Sequence, residues 1–334
     1  MKAAILKRYQ KQSPKVVIQD VGLPKLGPHQ VLLKTLAAGV NPLDLLIARG
    51  QFKLVIPYPL PLIMGNEVVG EVICVGSQVA RFKVGERVFA RMPLNKIGAF
   101  AEKVAIDESA LAKVPEYLTN EEAATVPLTA LTAMQAFQLM DVKKNGRLFI
   151  SGGTGSFGSM AIPLAKAKGL YVITSGSERN KARVKDLGVD QFINYRTTDY
   201  SQVLLNIDYA IDTLGGSETR KQLSILKDGG KLVSLRGMPN HDFAVRTGMP
   251  GWKRLLFGIA GWQLDRLAAK NNQHYYFMNV HEDGEQLATV SEVLEKTRLR
   301  PKVDRCYPFA EVNDALAHVA AGHLQGKTVL TFED

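Results

Sequence analysis

The chain has 334 residues, 46% of them hydrophobic and 22% charged, with a formal net charge of +10. That length and balance describe a globular protein with material for two domains. They exclude a disordered or fibrous chain, and no apolar run approaches the roughly 20 residues that a bilayer-spanning helix needs. Met1 to Lys7 runs straight into alternating sequence with no signal-like leader. With Cys74 and Cys306 as the only cysteines, neither a disulfide framework nor a cysteine zinc site can be built. The cytoplasm is the expected compartment. Lys and Arg are scattered without a basic block, which argues against nucleic acid; an anionic cofactor site accounts for the charge.

Residues 1 to about 115 read as all-β. Val16–Gln19, Gln30–Ala37, Val68–Val75 and Arg87–Phe89 are strand-like runs punctuated by Gly and Pro turns. Thr119-Asn120-Glu121-Glu122 marks a helix start, and a helical run from Thr129 to Met140 follows Pro127. From Arg147 the pattern alternates strand and helix, as a doubly wound parallel sheet requires. Its strands are placed at Arg147–Ile150, Tyr171–Thr174, Gln191–Asn194, Tyr209–Asp212, Lys231–Leu235 and His274–Val280. Asn145-Gly146, Asp186-Leu187-Gly188 and Asp228-Gly229-Gly230 supply turns.

Gly152-Gly153-Thr154-Gly155-Ser156-Phe157-Gly158 stands between the first of these strands and a helix-like run, Ser159 to Lys168. Strand, glycine turn and helix is the context in which such a motif binds a dinucleotide. The glycines allow close backbone approach, and the helix N-terminus offers unpaired N–H groups to a pyrophosphate. Pro163 within the helix should kink it.

Trp252 to Trp262 mixes apolar and basic residues. A membrane-surface helix is one reading. Two glycines and a short apolar face favour a lid or an inter-subunit packing segment. The tail reads as helix (Glu285–Lys296), strand (Pro301–Tyr307), helix (Ala310–Ala321) and strand (Thr328–Phe332), expected to return to the first domain. His274, His281, His318 and His323 show no metal-ligand spacing.

Five landmarks then occur in one order: Gly39-Val40-Asn41-Pro42-Leu43-Asp44, Gly65-Asn66-Glu67-Val68-Val69-Gly70, Ala123 to Ala133, Asp212-Thr213-Leu214-Gly215-Gly216 and Gly326-Lys327-Thr328-Val329-Leu330. Over nearly its whole length the chain resembles the zinc-independent medium-chain dehydrogenases/reductases, in particular the quinone oxidoreductase (zeta-crystallin-like) branch. The resemblance implies an α/β protein: a GroES-like β-barrel substrate domain, 1–124 completed by 281–334, and a six-stranded Rossmann domain, 125–280, with a cofactor cleft between them. Zinc-dependent relatives place Cys, His and Cys where this chain has Asn41, Asn66 and Leu128, so no metal site is expected.

NAD enzymes put an acid at the end of the second Rossmann strand to bond the ribose 2′-OH. Here the run is Thr174-Ser175-Gly176-Ser177-Glu178-Arg179-Asn180-Lys181. Serine stands where the acid would be, and Arg179 and Lys181 can meet a 2′-phosphate, which predicts NADPH. Ser175, Ser177 and Asn180 fall in the same loop. By resemblance Tyr195 packs near that phosphate. Leu214, Leu235 and the backbone of Phe277 to Asn279 border the cofactor, and Asn41 and Thr132 line the nicotinamide pocket. Tyr58 is a candidate proton donor, with packing of its proline-rich loop the favoured role. The implied activity is NADPH-dependent reduction of a quinone or α,β-unsaturated carbonyl compound by a homodimer. An enoyl-thioester reductase and a non-catalytic NADPH-binding protein are the alternatives.

Overall fold

The computed structural model describes residues 1–322 and 324–332. The chain divides into two units, Met1–Leu131 with Val280–Asp334, and Thr132–Asn279. The first stretch supplies strands Lys2–Leu6 (β1), Val17–Asp20 (β2), Gln30–Val40 (β3), Leu62–Ile63 (β4), Glu67–Val75 (β5), Arg87–Arg91 (β6), Lys103–Asp107 (β7) and Ala112–Lys113 (β8). Helices Pro42–Ala48 (α1), Asn120–Ala123 (α2) and Pro127–Met140 (α3) complete it. Then come β9 (Arg147–Ile150), α4 (Ser156–Ala167), β10 (Tyr171–Gly176), α5 (Lys181–Asp186), β11 (Gln191–Asn194), α6 (Tyr200–Val203) and β12 (Ile207–Asp212). After these follow α7 (Ser217–Leu223), β13 (Leu226–Ser234), α8 (His241–Arg246), α9 (Gly251–Lys270) and β14 (His274–Phe277). The tail is α10 (Gly284–Thr297), β15 (Val303–Pro308), α11 (Val312–Ala321) and β16 (Lys327–Thr331).

In the first unit, β3 carries the sheet. Val31, Leu33, Thr35 and Ala37 alternate inward along it, the period of two that a half-buried strand imposes. The strand order is β15-β16-β3-β5-β6-β8, with β7 also on β3, and a smaller sheet runs β2-β1-β4. The tail does return: β16 lies antiparallel to β3, pairing Thr328 with Val40 and Val329 with Gly39. This is the GroES-like domain. Its apolar core is built from residues such as Leu33, Val68, Val88 and Leu330.

The second unit is a parallel sheet in the order β11-β10-β9-β12-β13-β14, the doubly wound Rossmann arrangement. Its central strands are continuous apolar runs, Leu148-Phe149-Ile150 and Ala210-Ile211 among them, because helices cover both faces. The division between units falls inside α3 rather than at residue 124. The first turn of that helix is tied to the first unit by the Leu128 N–H, which donates to Glu67.

Three local expectations need correction. The turn expected at Asp228-Gly229-Gly230 lies within β13, where a register shift against β12 and a φ of +70° at Gly229 absorb it. The last Rossmann strand ends at Phe277, paired with Ser234, rather than at Val280. The helix after the glycine motif begins at Ser156, and it continues through Pro163 to Ala167. Trp252–Trp262, with its two glycines, lies inside one 20-residue helix. Of the histidines, His318 pairs with Asp304 at 2.7 Å, while His323 lies outside the described residues.

Candidate functional site

The first unit buries a polar cluster where β3 passes into α1. Asn41 caps α1 in extended conformation, with Pro42 in the first turn, a position where proline's missing N–H is no loss. The Asn41 backbone N–H donates to Asp44 Oδ2 at 2.8 Å, and Asn66 Nδ2 donates to Asp44 Oδ1 at 2.7 Å. Asn41 Nδ2 donates to Glu67 Oε1 at 2.7 Å, while Glu67 Oε2 accepts the Leu128 N–H at 2.9 Å. The Lys327 ammonium closes the cluster by pairing with Glu67 Oε1. Every one of these polar side chains is buried. Gly39 is required here, since a Cβ at that position would stand 2.2 Å from Glu67 Oε1 and 2.6 Å from the Ala124 carbonyl.

Burial raises the Asp44 carboxyl to about 7; its bonds from Asn41 and Asn66 pull the other way, Glu67 adds to the rise and Lys327 opposes it. Arg91 pairs in register with Glu67 across β5 and β6 and is fully buried. Its Nη1 donates to the Met92 carbonyl and lies 3.9 Å from Glu282, and burial lowers its pKa. Tyr58 donates its hydroxyl to the Leu94 carbonyl at 2.6 Å, and its own carbonyl accepts from Tyr9 at 3.0 Å. Burial pushes its phenol up to about 12. Both observations fit a tyrosine that pins its loop.

The second unit carries the glycine turn. Gly152 has φ of +62°, and a Cβ on Gly158 would fall 1.9 Å from the Gly153 carbonyl, so the motif's backbone is packed against itself. Gly155 is the N-cap of α4 and makes no side-chain cap bond. The first-turn N–H groups of Ser156, Phe157 and Gly158 are therefore not satisfied by a cap, the condition for receiving a pyrophosphate. Thr154 is half-buried, and its carbonyl accepts from Arg183 Nη2.

Because every strand of this sheet is parallel, the C-terminal ends of β9, β10, β12, β13 and β14 share one edge, where open α/β sheets bind ligands. Ser175 and Ser177 are buried at the end of β10, and Asn180 Nδ2 donates to Ser177 Oγ at 3.2 Å. Arg179 is exposed. Glu178 is exposed too, and pairs with Lys181 at 2.9 Å, so Lys181 has an anionic partner that the sequence reading did not give it. Tyr195 is exposed; its N–H donates to the Gly176 carbonyl at 3.2 Å, setting it beside this loop.

Asp212 organises the next two strand ends. Its carboxylate accepts the N–H groups of Leu214 and Gly215 together with Thr219, Gln222 and Ser234, and its carbonyl accepts the Leu235 N–H. Leu214 and Leu235 are thereby both tied to Asp212 through their N–H groups. At the end of β14 the Phe277 carbonyl accepts from Arg246 at 2.8 Å, and Asn279 is half-buried. Thr132 is buried on α3 and belongs to this unit, whereas Asn41 and Tyr58 belong to the other.

The sequence analysis named Asp44, Glu67 and Lys327 only as parts of motifs, and it gave Arg183 no role. The composition of the motifs was the one available signal: an acid after Asn66 and a lysine in the last strand.

Residues 27–116 match the family described as alcohol dehydrogenase GroES-like domain, and residues 187–330 that described as zinc-binding dehydrogenase. The chain is 30% identical over 356 residues to the zebrafish (Danio rerio) mitochondrial NAD(P)H oxidoreductase RTN4IP1, covering 99% of this chain and 91% of that one. It is 28% identical to the Arabidopsis thaliana chloroplastic NADPH-dependent alkenal/one oxidoreductase, covering 93% and 74%. Among solved structures it is similar to the quinone oxidoreductase of Coxiella burnetii, with a TM-score of 0.84, 27% identity, and coverage of 100% and 99%. The chain belongs to the medium-chain dehydrogenase/reductase family, in its quinone oxidoreductase branch, and is an oxidoreductase that uses a nicotinamide cofactor. Among the described residues no helix is long and apolar enough to cross a membrane. The expected cytoplasmic location is not supported, since the two relatives above are mitochondrial and chloroplastic.

Proposed function

We propose that the protein is an NADPH-dependent reductase of quinones or α,β-unsaturated carbonyl compounds that works without zinc. The observation that carries this reading is the occupation of the family's metal-ligand positions. Asn41 and Asn66 turn amide nitrogens, which are donors, toward carboxylates, and Leu128 offers hydrocarbon. The positive charge beside Glu67 is the Lys327 ammonium. Such a donor set does not fit a catalytic zinc, which takes three thiolate, imidazole or carboxylate ligands. Among the described residues no group of three or more His, Cys, Asp and Glu side chains stands close enough to hold an ion.

NADPH, when bound, supplies a hydride. The Gly152–Gly158 turn and the α4 N-terminus fit its pyrophosphate, Ser177 and Arg179 with Tyr195 fit the 2′-phosphate, and Leu214, Leu235 and the Phe277–Asn279 backbone fit the nicotinamide side. The remaining task of the chain is to hold an acceptor in line and keep water out. Proximity and orientation can lower such a barrier by up to about 7–11 kcal/mol. That suffices for a quinone or enone, whose carbonyl already makes the distant carbon electrophilic. A saturated ketone develops an alkoxide that needs a strong electrophile. Thr132, buried on α3, is proposed to donate to the developing enolate oxygen, which then takes a proton from solvent, while the Asn41 amide is already committed to Glu67 and Gly39. The Tyr58 hydroxyl already serves Leu94, so Tyr58→Phe should retain most turnover. Following absorbance of NADPH with a quinone and a 2-alkenal tests the reading; inert quinones together with fast alcohol oxidation would overturn it. We also propose a homodimer through the free edge of β14, rich in aromatic residues, an edge that otherwise stands as a pairing liability. Sedimentation at micromolar concentration should show it.

A further inference from the structure

Helix α9 is apolar on two opposite sides. One side, Phe257, Gly261, Leu264 and Ala268, is buried in its own unit. The other side exposes Trp252, Leu255, Ile259 and Trp262, between 55% and 70% accessible, with Leu256 at 41% beside them. Their spacing places them on one stripe of a helix about 30 Å long. Single exposed hydrophobics are ordinary, but a contiguous stripe of five marks an interaction surface.

The charges around the stripe say what it fits. The helix has four basic residues, Lys253, Arg254, Arg266 and Lys270, and a single acid, Asp265. That acid accepts a bond from the buried Asn240 at 2.7 Å, on the side away from the stripe. Lys253 lies over the Trp252 ring at 5.6 Å and Arg266 over the Trp262 ring at 5.1 Å, so each tryptophan carries a cation over its face. An open depression of about 380 Å³, lined by His241, Arg254, Leu255, Gly258, Ile259 and Trp262, adds a basic rim to the same face. Tryptophans, aliphatic side chains and flanking cations together match the boundary between anionic headgroups and acyl chains. A second copy of the same face would bring four more cations to the seam and, as its acid, only the Asp265 already bonded to Asn240.

We infer that α9 is a membrane-surface helix, which seats the protein on an anionic lipid bilayer without spanning it. The inference rests on this helix alone and stands apart from the proposed reaction.

Trp252 and Trp262 are the only tryptophans of the chain, so its tryptophan emission, excited at the red edge where tyrosine does not absorb, reports on this face and nowhere else. The full-length protein is mixed with vesicles of phosphatidylcholine, and with vesicles of equal parts phosphatidylcholine and phosphatidylglycerol. The expected result is a blue-shifted emission and co-sedimentation with the anionic vesicles, weak or absent with the neutral ones and reduced by salt. Leu255→Glu/Ile259→Glu should reduce binding more than tenfold, and Lys253→Gln or Lys270→Gln about fivefold each. The substituted side chains are 68% and 70% exposed at Leu255 and Ile259, so thermal unfolding should be unchanged. If it is not, the parent's emission on the two vesicles decides alone. Red-shifted emission with no vesicle binding would overturn the inference. So would a concentration-dependent blue shift without lipid that tracks a dimer lost in the double variant, since a second copy would then cover the stripe.

Discussion

Lys327 and Glu67 form an ion pair sealed from solvent, their side chains 3% and 0% exposed, although one opens β16 and the other opens β5. The pair is possible because β16 pairs with β3, which brings the end of the chain against Val40 and Asn41. It holds the same carboxylate that receives Asn41 Nδ2 and the Leu128 N–H, so it anchors the turn from β3 into α1 and the start of α3.

Removing one partner leaves a buried charge uncompensated. Lys327→Met or Glu67→Gln alone should therefore destabilise the protein by about 3–5 kcal/mol, and the double substitution should recover much of that loss. Urea unfolding of the three variants measures it. Additive losses in the double variant would show that the two groups act independently.

The Asp44 carboxyl titrates near 7 in the folded chain, against an ordinary value of 3.8, chiefly because burial disfavours the charged form. The folded state then holds a proton that the unfolded state has released between those two values. The contribution of Asp44 to stability is full below about pH 4 and is lost as pH rises through about 7. Melting temperatures of the parent and of Asp44→Asn, measured across that range, should converge or cross as the parent loses this contribution. Parallel curves would place the proton elsewhere.

NADPH should bind more tightly than NADH. A charge-assisted bond to a phosphate contributes about 1.5–3 kcal/mol, or roughly 10- to 150-fold. Arg179→Ala should lower NADPH affinity by a factor in that range and leave NADH affinity unchanged. The exposed Glu178–Lys181 pair is worth little and can be exchanged for a phosphate contact. Fluorescence titration with both cofactors checks this, and equal affinities would remove Arg179 from the site.

Much of the fold is legible in local sequence. The parallel strands announce themselves as short apolar runs, and β9 and β11 begin and end where those runs do. The glycine turn is legible because its backbone tolerates little else. What escapes the sequence is long-range. Nothing local to Lys327 says that its ammonium meets Glu67, and nothing near Arg183 says that its guanidinium reaches back to the Thr154 carbonyl. The end of β10 is half legible: its lack of an acid can be read, but the Glu178–Lys181 pairing cannot. In α9 the sequence does not show why a glycine is needed: Gly261 packs so closely on Asn240 that a Cβ there would lie 2.5 Å from that side chain.

The central claim is hydride transfer to a conjugated acceptor with no metal taking part. It is tested most directly by the rate of NADPH oxidation by a quinone and a 2-alkenal, before and after exhaustive chelation, with a saturated ketone as the control acceptor. The account predicts turnover with the first two that chelation leaves unchanged, and little with the ketone. Loss of turnover on chelation, restored by added zinc, would contradict it.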